Sequence, residues 1–318
     1  MKHAFRRLAD LGRYLDLPES SLRGGLAAAE DFPLFVPREF AAKMEQGNPD
    51  DPLLRQVLPV LQETQTAEGF TADPVGDAGA TLSPGLLQKY HGRALLVTTG
   101  ACAVHCRYCF RRHFPYSTAP KGVEAWQPAL EAIAEDASIH EILLSGGDPL
   151  TLADGILSEL VHQIAAIPHV RRLRIHTRLP VMIPSRVTDE LLAWLTSTRL
   201  RSLVVIHANH PRELGEDVTA ALARLAMAGV PLLNQSVLLR GVNDDAATLS
   251  ELSEKLLDHR VMPYYLHQLD RVEGAAHFLV SKAEGLRLID TMRRTLPGYA
   301  VPRYVEEIAG DPSKRVIA

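Results

Sequence analysis

The chain has 318 residues, 46% of them hydrophobic and 23% charged, a balance that suits one large folded domain or two of about 150 residues and excludes a chain disordered on composition. Its 34 Lys and Arg against 38 Asp and Glu give a formal net charge of −4, which argues against a general nucleic-acid binder, since such proteins are usually basic. No apolar run approaches the roughly 20 residues that span a bilayer, and the charged segment from Met1 to Asp16 has no signal-peptide core, so a cytoplasmic location without membrane or nucleic-acid partners is expected.

Residues 1–90 read as a helical, loop-rich region. Short helices are predicted at 8–17 and 40–46, and 53–64 carries helical spacing interrupted by Pro59. Turn-forming stretches, Gly47-Asn-Pro-Asp-Asp-Pro52 and Asp73-Pro-Val-Gly-Asp77, separate them.

From residue 94 aliphatic and β-branched runs alternate with amphipathic ones. Strands are predicted at 94–99, 141–145, 172–177, 202–207, 232–238 and 261–266. The helices between and after them are predicted at 127–136, 152–166, 189–197, 216–228, 245–258 and 282–296. Gly229 has the place of a C-cap glycine, and Asp245 and Ser281 those of N-caps. Strands that read as near-continuous apolar runs are buried on both faces, as in a parallel sheet with right-handed crossovers. Six such units make either an open doubly wound sheet or an incomplete barrel, and periodicity alone leaves both open. In either, chemistry belongs at the C-terminal ends of the strands.

All three cysteines, Cys102, Cys106 and Cys109, fall within eight positions in the loop after the first strand, spaced C-x3-C-x2-C. An odd, tight cluster is not a disulfide framework. In a reducing compartment it points to metal or redox chemistry. Structural zinc would need a fourth ligand such as His105 or His113. An iron–sulfur cubane on three thiolates leaves one iron open to a small molecule. Three thiols packed without metal are the remaining reading.

The cysteine spacing with aromatic Tyr108, followed one strand later by Ser145-Gly-Gly-Asp148, resembles the radical S-adenosylmethionine (SAM) superfamily. Longer stretches resemble lysine 2,3-aminomutase from about residue 30 to the end. They are Cys106-Arg-Tyr-Cys-Phe-Arg-Arg112, Leu143-Leu-Ser-Gly-Gly-Asp-Pro-Leu150, Arg174-Ile-His-Thr-Arg-Leu-Pro180, Asn234-Gln-Ser-Val-Leu-Leu-Arg-Gly-Val-Asn-Asp244 and Pro263-Tyr-Tyr265. Gly47-Asn-Pro-Asp-Asp-Pro-Leu-Leu-Arg-Gln56, His113-Phe-Pro-Tyr116 and Gly274-Ala-Ala-His-Phe278 resemble a shorter branch that makes (R)-β-lysine for elongation factor P. The end of the chain soon after Lys314 fits that branch as well.

The resemblance implies an α/β fold: an incomplete (β/α)6 radical SAM barrel over 91–300, behind the helical region 1–90 and ahead of a C-terminal segment, 301–318. It implies a 4Fe-4S cluster on Cys102, Cys106 and Cys109, with SAM on its open iron. Tyr108, Gly146, Gly147, Asp148, Thr177, Arg178, His207 and Gln235 are the implied residues around these groups. It implies pyridoxal 5′-phosphate (PLP) bound to Lys314, with its phosphate side formed by Lys89, Tyr90 and Arg93. For an L-lysine substrate, Arg111 is implied to take the carboxylate, and Asp270 and Glu307 the ε-ammonium; longer enzymes carry aspartate where Glu307 stands. The implied activity is isomerisation of L-α-lysine to (R)-β-lysine by radical amino migration. The implied partners are a low-potential electron donor, elongation factor P and its lysine ligase. Alternatives are an aminomutase for lysine or another amino acid in solute or secondary metabolism, and a non-catalytic zinc-binding module.

Overall fold

A computed structural model describes residues 3–118, 120 and 122–318. Ten strands form one sheet in strictly sequential order: β1 (Thr81–Ser83), β2 (Leu86–Tyr90), β3 (Arg93–Thr99), β4 (Glu141–Gly146), β5 (Arg172–Thr177), β6 (Arg201–His207), β7 (Leu232–Val237), β8 (Val261–His267), β9 (Arg303–Glu306) and β10 (Arg315–Val316). From β3 to β9 every pairing is parallel, while β1, β2 and β10 add antiparallel edges.

Five short helices precede the sheet: α1 (Leu8–Tyr14), α2 (Glu19–Arg23), α3 (Gly25–Asp31), α4 (Arg38–Ala41) and α5 (Pro52–Arg55). Seven follow between the strands: α6 (Gln127–Glu135), α7 (Asp154–Ala166), α8 (Leu179–Met182), α9 (Asp189–Thr196), α10 (Glu216–Met227), α11 (Ala246–Asp258) and α12 (Lys282–Thr295). The expected caps form. Asp245 accepts the Thr248 amide at 2.8 Å, Ser281 accepts that of Glu284 at 3.2 Å, and Gly229 takes φ +77° beyond α10.

Sequential strand order has no reversal point, so it resolves the choice between open sheet and barrel. A doubly wound sheet turns back on itself; this one keeps advancing in one direction and rolls up. Strands lie about 4.8 Å apart, so β2 and β9 would stand about 34 Å apart in a flat sheet. Instead the Tyr90 hydroxyl donates to Glu307 Oε1, just past β9, at 2.5 Å. The result is an incomplete barrel.

Strand side chains divide between its two faces. Ile142, Leu144, Leu173, Ile175, Val204 and Ile206 join the outer helices in the main core, with Ile133 of α6, Leu160 of α7 and Leu222 of α10. Alternate positions, among them Arg174, His176 and His207, point into the lumen. The N-terminal helices belong to the same core through Leu11, Phe40, Leu53 and Leu54, all fully buried. Between residues 53 and 64 the helix stops at Arg55, and after Pro59 only a 3-10 turn, Leu61–Thr64, resumes. Helices α2 and α3 and strands β1, β2, β9 and β10 go beyond the sequence expectation. The new strands are at most five residues long, too short for alternation to register.

Candidate active site

The cysteine loop leaves β3 and lies on the turn after β4. Gly147 N donates to Thr99 O at 2.7 Å, and Asp148 N to Ala101 O at 2.8 Å. A Cβ on Gly147 would fall 2.3 Å from Ala101 O; Gly146 has φ +117° and would place one 2.6 Å from Thr99 O. In this structure the two glycines therefore receive the backbone of the cysteine loop. Asp148 accepts from Leu150 N (3.1 Å), Thr177 Oγ1 (2.7 Å) and Arg178 N (2.7 Å). Burial raises its carboxyl to about 6, against these hydrogen bonds. Asp148 and Thr177 thus join the ends of β4 and β5.

Behind the loop, fully buried Arg107 forks onto Glu63 at 2.9 and 2.6 Å, and Arg112 reaches the same carboxylate at 3.0 Å. Arg178 donates from Nη1 to Cys106 Sγ at 2.8 Å, and from Nη2 to Gln56 Oε1 (2.6 Å) and Glu213 Oε2 (3.0 Å). The Tyr108 hydroxyl accepts from Asn209 Nδ2 at 2.7 Å. A buried polar network therefore holds Cys106 and Tyr108 from behind.

The thiols suit a metal cluster. Burial, then the neighbouring thiols, pushes Cys102 well above the usual thiol range and Cys109 to about 11. Such thiols give up their protons only to a compensating cation. The two histidines expected as zinc ligands are committed elsewhere. His105 Nδ1 lies 2.7 Å from Pro33 O with its ring stacked on Phe32, and His113 Nε2 lies 3.4 Å from Glu273 O. Among the described residues no three His, Cys, Asp or Glu converge as a single-ion site. A 4Fe-4S cluster binds its three thiolates on separate irons, and the donor set fits it.

A second group of charges lines the lumen. Lys314, just before β10, places Nζ on the Glu307 carboxylate. Glu307 also accepts from Tyr90 and lies 3.9 Å from Lys89 Nζ. Burial pushes its carboxyl up, but Lys314, Tyr90 and Lys89 hold it below the usual range. Asp270, in the loop after β8, goes the other way: burial raises it to about 7, Lys314 pulling down and Glu307 pushing up.

Burial, with nearby cations including Lys314, keeps His176 and His267 neutral; His207 falls to about 3 through burial and Arg178. The Nε2 atoms of all three are buried without a hydrogen-bond partner. Orphaned polar atoms close enough to feel a lysine amine, as on His176 and His267, are what an aromatic, hydrogen-bonding cofactor would satisfy, so these two residues fit PLP on Lys314. Arg111 donates from Nε to Asp77 Oδ2 at 2.7 Å and from Nη1 to Ser145 Oγ at 3.3 Å. Lys89 meets Asp77 Oδ1 and Val75 O, each at 2.7 Å.

The structure thus gathers Lys89, Tyr90, Arg111, Asp270, Glu307 and Lys314 into one linked set. It puts Arg178 against Cys106 and pairs Gln235 with His207 in adjacent strands. Arg93 opens β3, at the far end from the cysteine loop, and meets the set through Tyr90, its guanidinium lying 4.6 Å over that ring. Sequence reasoning missed Gln56, Asp77, His176, Glu213 and His267. His176 had a signal, as one of the alternating polar positions of β5, and His267 as the polar residue that ends β8. Asp77 had none, because its stretch reads simply as a turn.

Residues 96–252 match the model of the radical SAM superfamily. The chain is 47% identical to the L-lysine 2,3-aminomutase of Haemophilus influenzae over 318 residues, covering 100% of this chain and 94% of that one. It is 51% identical to that of Escherichia coli over 93% of this chain and 86% of that one, and 34% identical to that of Clostridium subterminale over 99% and 76%. Among solved structures, Streptococcus suis SuiB bound to a precursor peptide superposes with a TM-score of 0.52 at 13% identity, over 70% of this chain and 50% of that one. That likeness bears on the fold alone. By its sequence relatives, and with a cysteine loop and barrel of the matching kind, the chain belongs to the lysine 2,3-aminomutase family of radical SAM enzymes.

Proposed function

We propose that this chain is a PLP-dependent radical SAM isomerase that converts L-α-lysine to (R)-β-lysine for the modification of elongation factor P. The observation that carries the reading is a pair of carboxyls beside Lys314, joined through Lys89 and Asp77 to the cation Arg111. Arg111 suits a substrate carboxylate, because its planar fork matches that group. Asp270 and Glu307 suit an ammonium. Lysine has one charge at each end, and pinning both leaves a defined carbon for reaction.

The cluster and SAM would supply a carbon radical, and PLP a π-system on which the amino group migrates. The protein orients the substrate, holds the cofactors and excludes water. Cys102, Cys106 and Cys109 would hold the cluster, Arg178 orients Cys106, and Lys314 would carry PLP. Tyr90 and Lys89 would stand at its phosphate side. A low-potential electron donor is required.

The role in elongation factor P modification rests on the segments that resemble the shorter branch. Two of them meet in space, since Pro49, Asp50 and Arg55 line one surface pocket with His277 and Phe278. The identities of 47% and 51% to the H. influenzae and E. coli relatives, against 34% to that of C. subterminale, run in the same direction.

The test is anaerobic turnover of L-lysine with the reconstituted protein, SAM, PLP and dithionite. β-Lysine is expected, and Cys106→Ala should make none. Iron-replete protein that returns only α-lysine refutes the activity. For the cellular role, product β-lysine, elongation factor P and its lysine ligase are combined; failure of the factor to gain mass would leave free β-lysine for solute or secondary metabolism as the better reading.

A further inference from the structure

Asp77 stands just before the 3-10 turn Ala78–Ala80 but its side chain makes no capping bond, and the residue is only 2% exposed. A buried carboxylate is costly unless paired, and this one is paired twice. Oδ2 accepts from Arg111 Nε at 2.7 Å, and Oδ1 forms an ion pair with Lys89 Nζ at 2.7 Å. The loop that carries it is itself braced. Asp73 accepts the amides of Asp77 (2.9 Å) and Ala78 (3.0 Å), and Val75 O accepts from Lys89 at 2.7 Å. At Gly76, φ +68°, a Cβ would stand 3.0 Å from that of Ala309. The N-terminal region thus inserts one carboxylate between the cysteine loop, which carries Arg111, and the returning C-terminal segment.

An arginine has five N–H donors in a rigid fork, and its orientation decides which edge a ligand meets. Here the Nε edge is taken by Asp77, and Nη1 also reaches Ser145 Oγ at 3.3 Å. Nη2 makes no hydrogen bond to the described residues and remains for an incoming carboxylate. Resting on the lysine reading above, we propose that Asp77 is the positioning residue for substrate recognition: it aims the Arg111 fork at the α-carboxylate, fixes Lys89 beside it, and so makes the site select amino acids over plain amines.

The test uses Asp77→Asn, which keeps shape and removes charge, in the holoenzyme. KM and kcat for L-lysine are measured beside the inhibition constant of cadaverine, which has both amines of lysine and no carboxylate. The expected result is a lysine KM raised by about tenfold or more, with cadaverine inhibition within about twofold of the parent. Iron content and cofactor absorbance should not change. Asp77→Glu should recover part of the loss. Ser145→Ala, which removes the other acceptor, should raise lysine KM without moving cadaverine.

Unchanged lysine KM in Asp77→Asn overturns the proposal. So does an equal shift for lysine and cadaverine, which marks a general structural effect. If Asp77→Asn does not fold, Asp77→Glu and Ser145→Ala carry the same comparison, and unchanged lysine selectivity in both overturns it. Arg111→Lys is run in parallel. If that variant keeps the parent KM, the reading of Arg111 as carboxylate holder fails independently of Asp77.

Discussion

Asp270 and Glu307 both face Lys314 but hold their protons differently. Glu307 has Lys314, Tyr90 and Lys89 to stabilise its charge. Asp270 has burial against it and sits at about 7. An arriving substrate ammonium needs the ionised form, so at pH 6 binding must expel a proton from Asp270. Lysine affinity should therefore rise as pH climbs from 6 toward 7, by up to about tenfold per unit, and level off above. Calorimetry of lysine binding in buffers of different ionisation enthalpy should count close to one proton released at pH 6 and few at pH 8. Asp270→Asn should bind lysine weakly with no such dependence. A parent protein whose affinity is flat from pH 6 to 8 would show that Asp270 is already ionised. The stability linkage has the opposite sign to that of a paired aspartate. The folded protein keeps a proton that the unfolded chain loses near pH 4, so this group stabilises below that pH and its contribution fades as pH rises to about 7.

At this scale the sequence offered a candidate wherever a residue stands in a recognisable run, as the three cysteines and Arg111 do. It was silent on Asp77 and Gln56, whose partners Arg111 and Arg178 lie 34 and 122 residues away. Only the fold creates those contacts.

Among the elements, the parallel strands were legible because each carries aliphatic residues in a short run, unbroken in the middle of β3 and β4 and alternating with lumen-facing Arg174 and His176 in β5, and the helices because Asp245, Ser281 and Gly229 mark their ends. Strands β2 and β9 were not. Lys89, Arg303 and Glu306 interrupt them, and β9 buries only Tyr304 and Val305. The contact between the β4 turn and the cysteine loop was half legible: the glycines were visible, but not that the backbone of the cysteine loop presses on them. Gly147→Ala tests this element. Its Cβ would meet Ala101 O, which is main chain and cannot rotate away. Overpacking of this kind costs about 1–3 kcal/mol, and here relief requires moving the loop that carries Cys102. The variant should keep its far-ultraviolet circular dichroism, lose a degree or more of melting temperature, and retain less than about half the parent's iron after reconstitution. Full iron loading would mean that the loop accommodates the methyl group without moving its thiols.

For the whole molecule, the question is what keeps an open sheet rolled. Strands β1 and β10 do not pair, so backbone hydrogen bonds do not close the barrel as they do in an eight-stranded one. Side chains cross the gap instead. Tyr90 from β2 donates to Glu307 beyond β9, and Lys89 lies within 3.9 Å of the same carboxylate. A hydrogen bond to a charged acceptor contributes about 1.5–3 kcal/mol. Tyr90→Phe removes it and leaves Glu307 its contact with Lys314, so no charge is stranded. The expected loss is near the lower end of that range, about 1.5–2 kcal/mol. It should also be local. Amide hydrogen exchange should accelerate in β9 and β10, which hang from the barrel by one parallel ladder to β8, and remain as in the parent in β3 to β7. Tyr299→Phe serves as the control, because Tyr299 is 66% exposed and its change should alter neither stability nor exchange. If Tyr90→Phe speeds exchange evenly across all strands, the bridge supports the fold as a whole and does not act as a closure. If it changes nothing, the curvature comes from the parallel ladders and the core behind them, and the lumen carboxylate Glu307 owes its position to Lys314 and β9 alone.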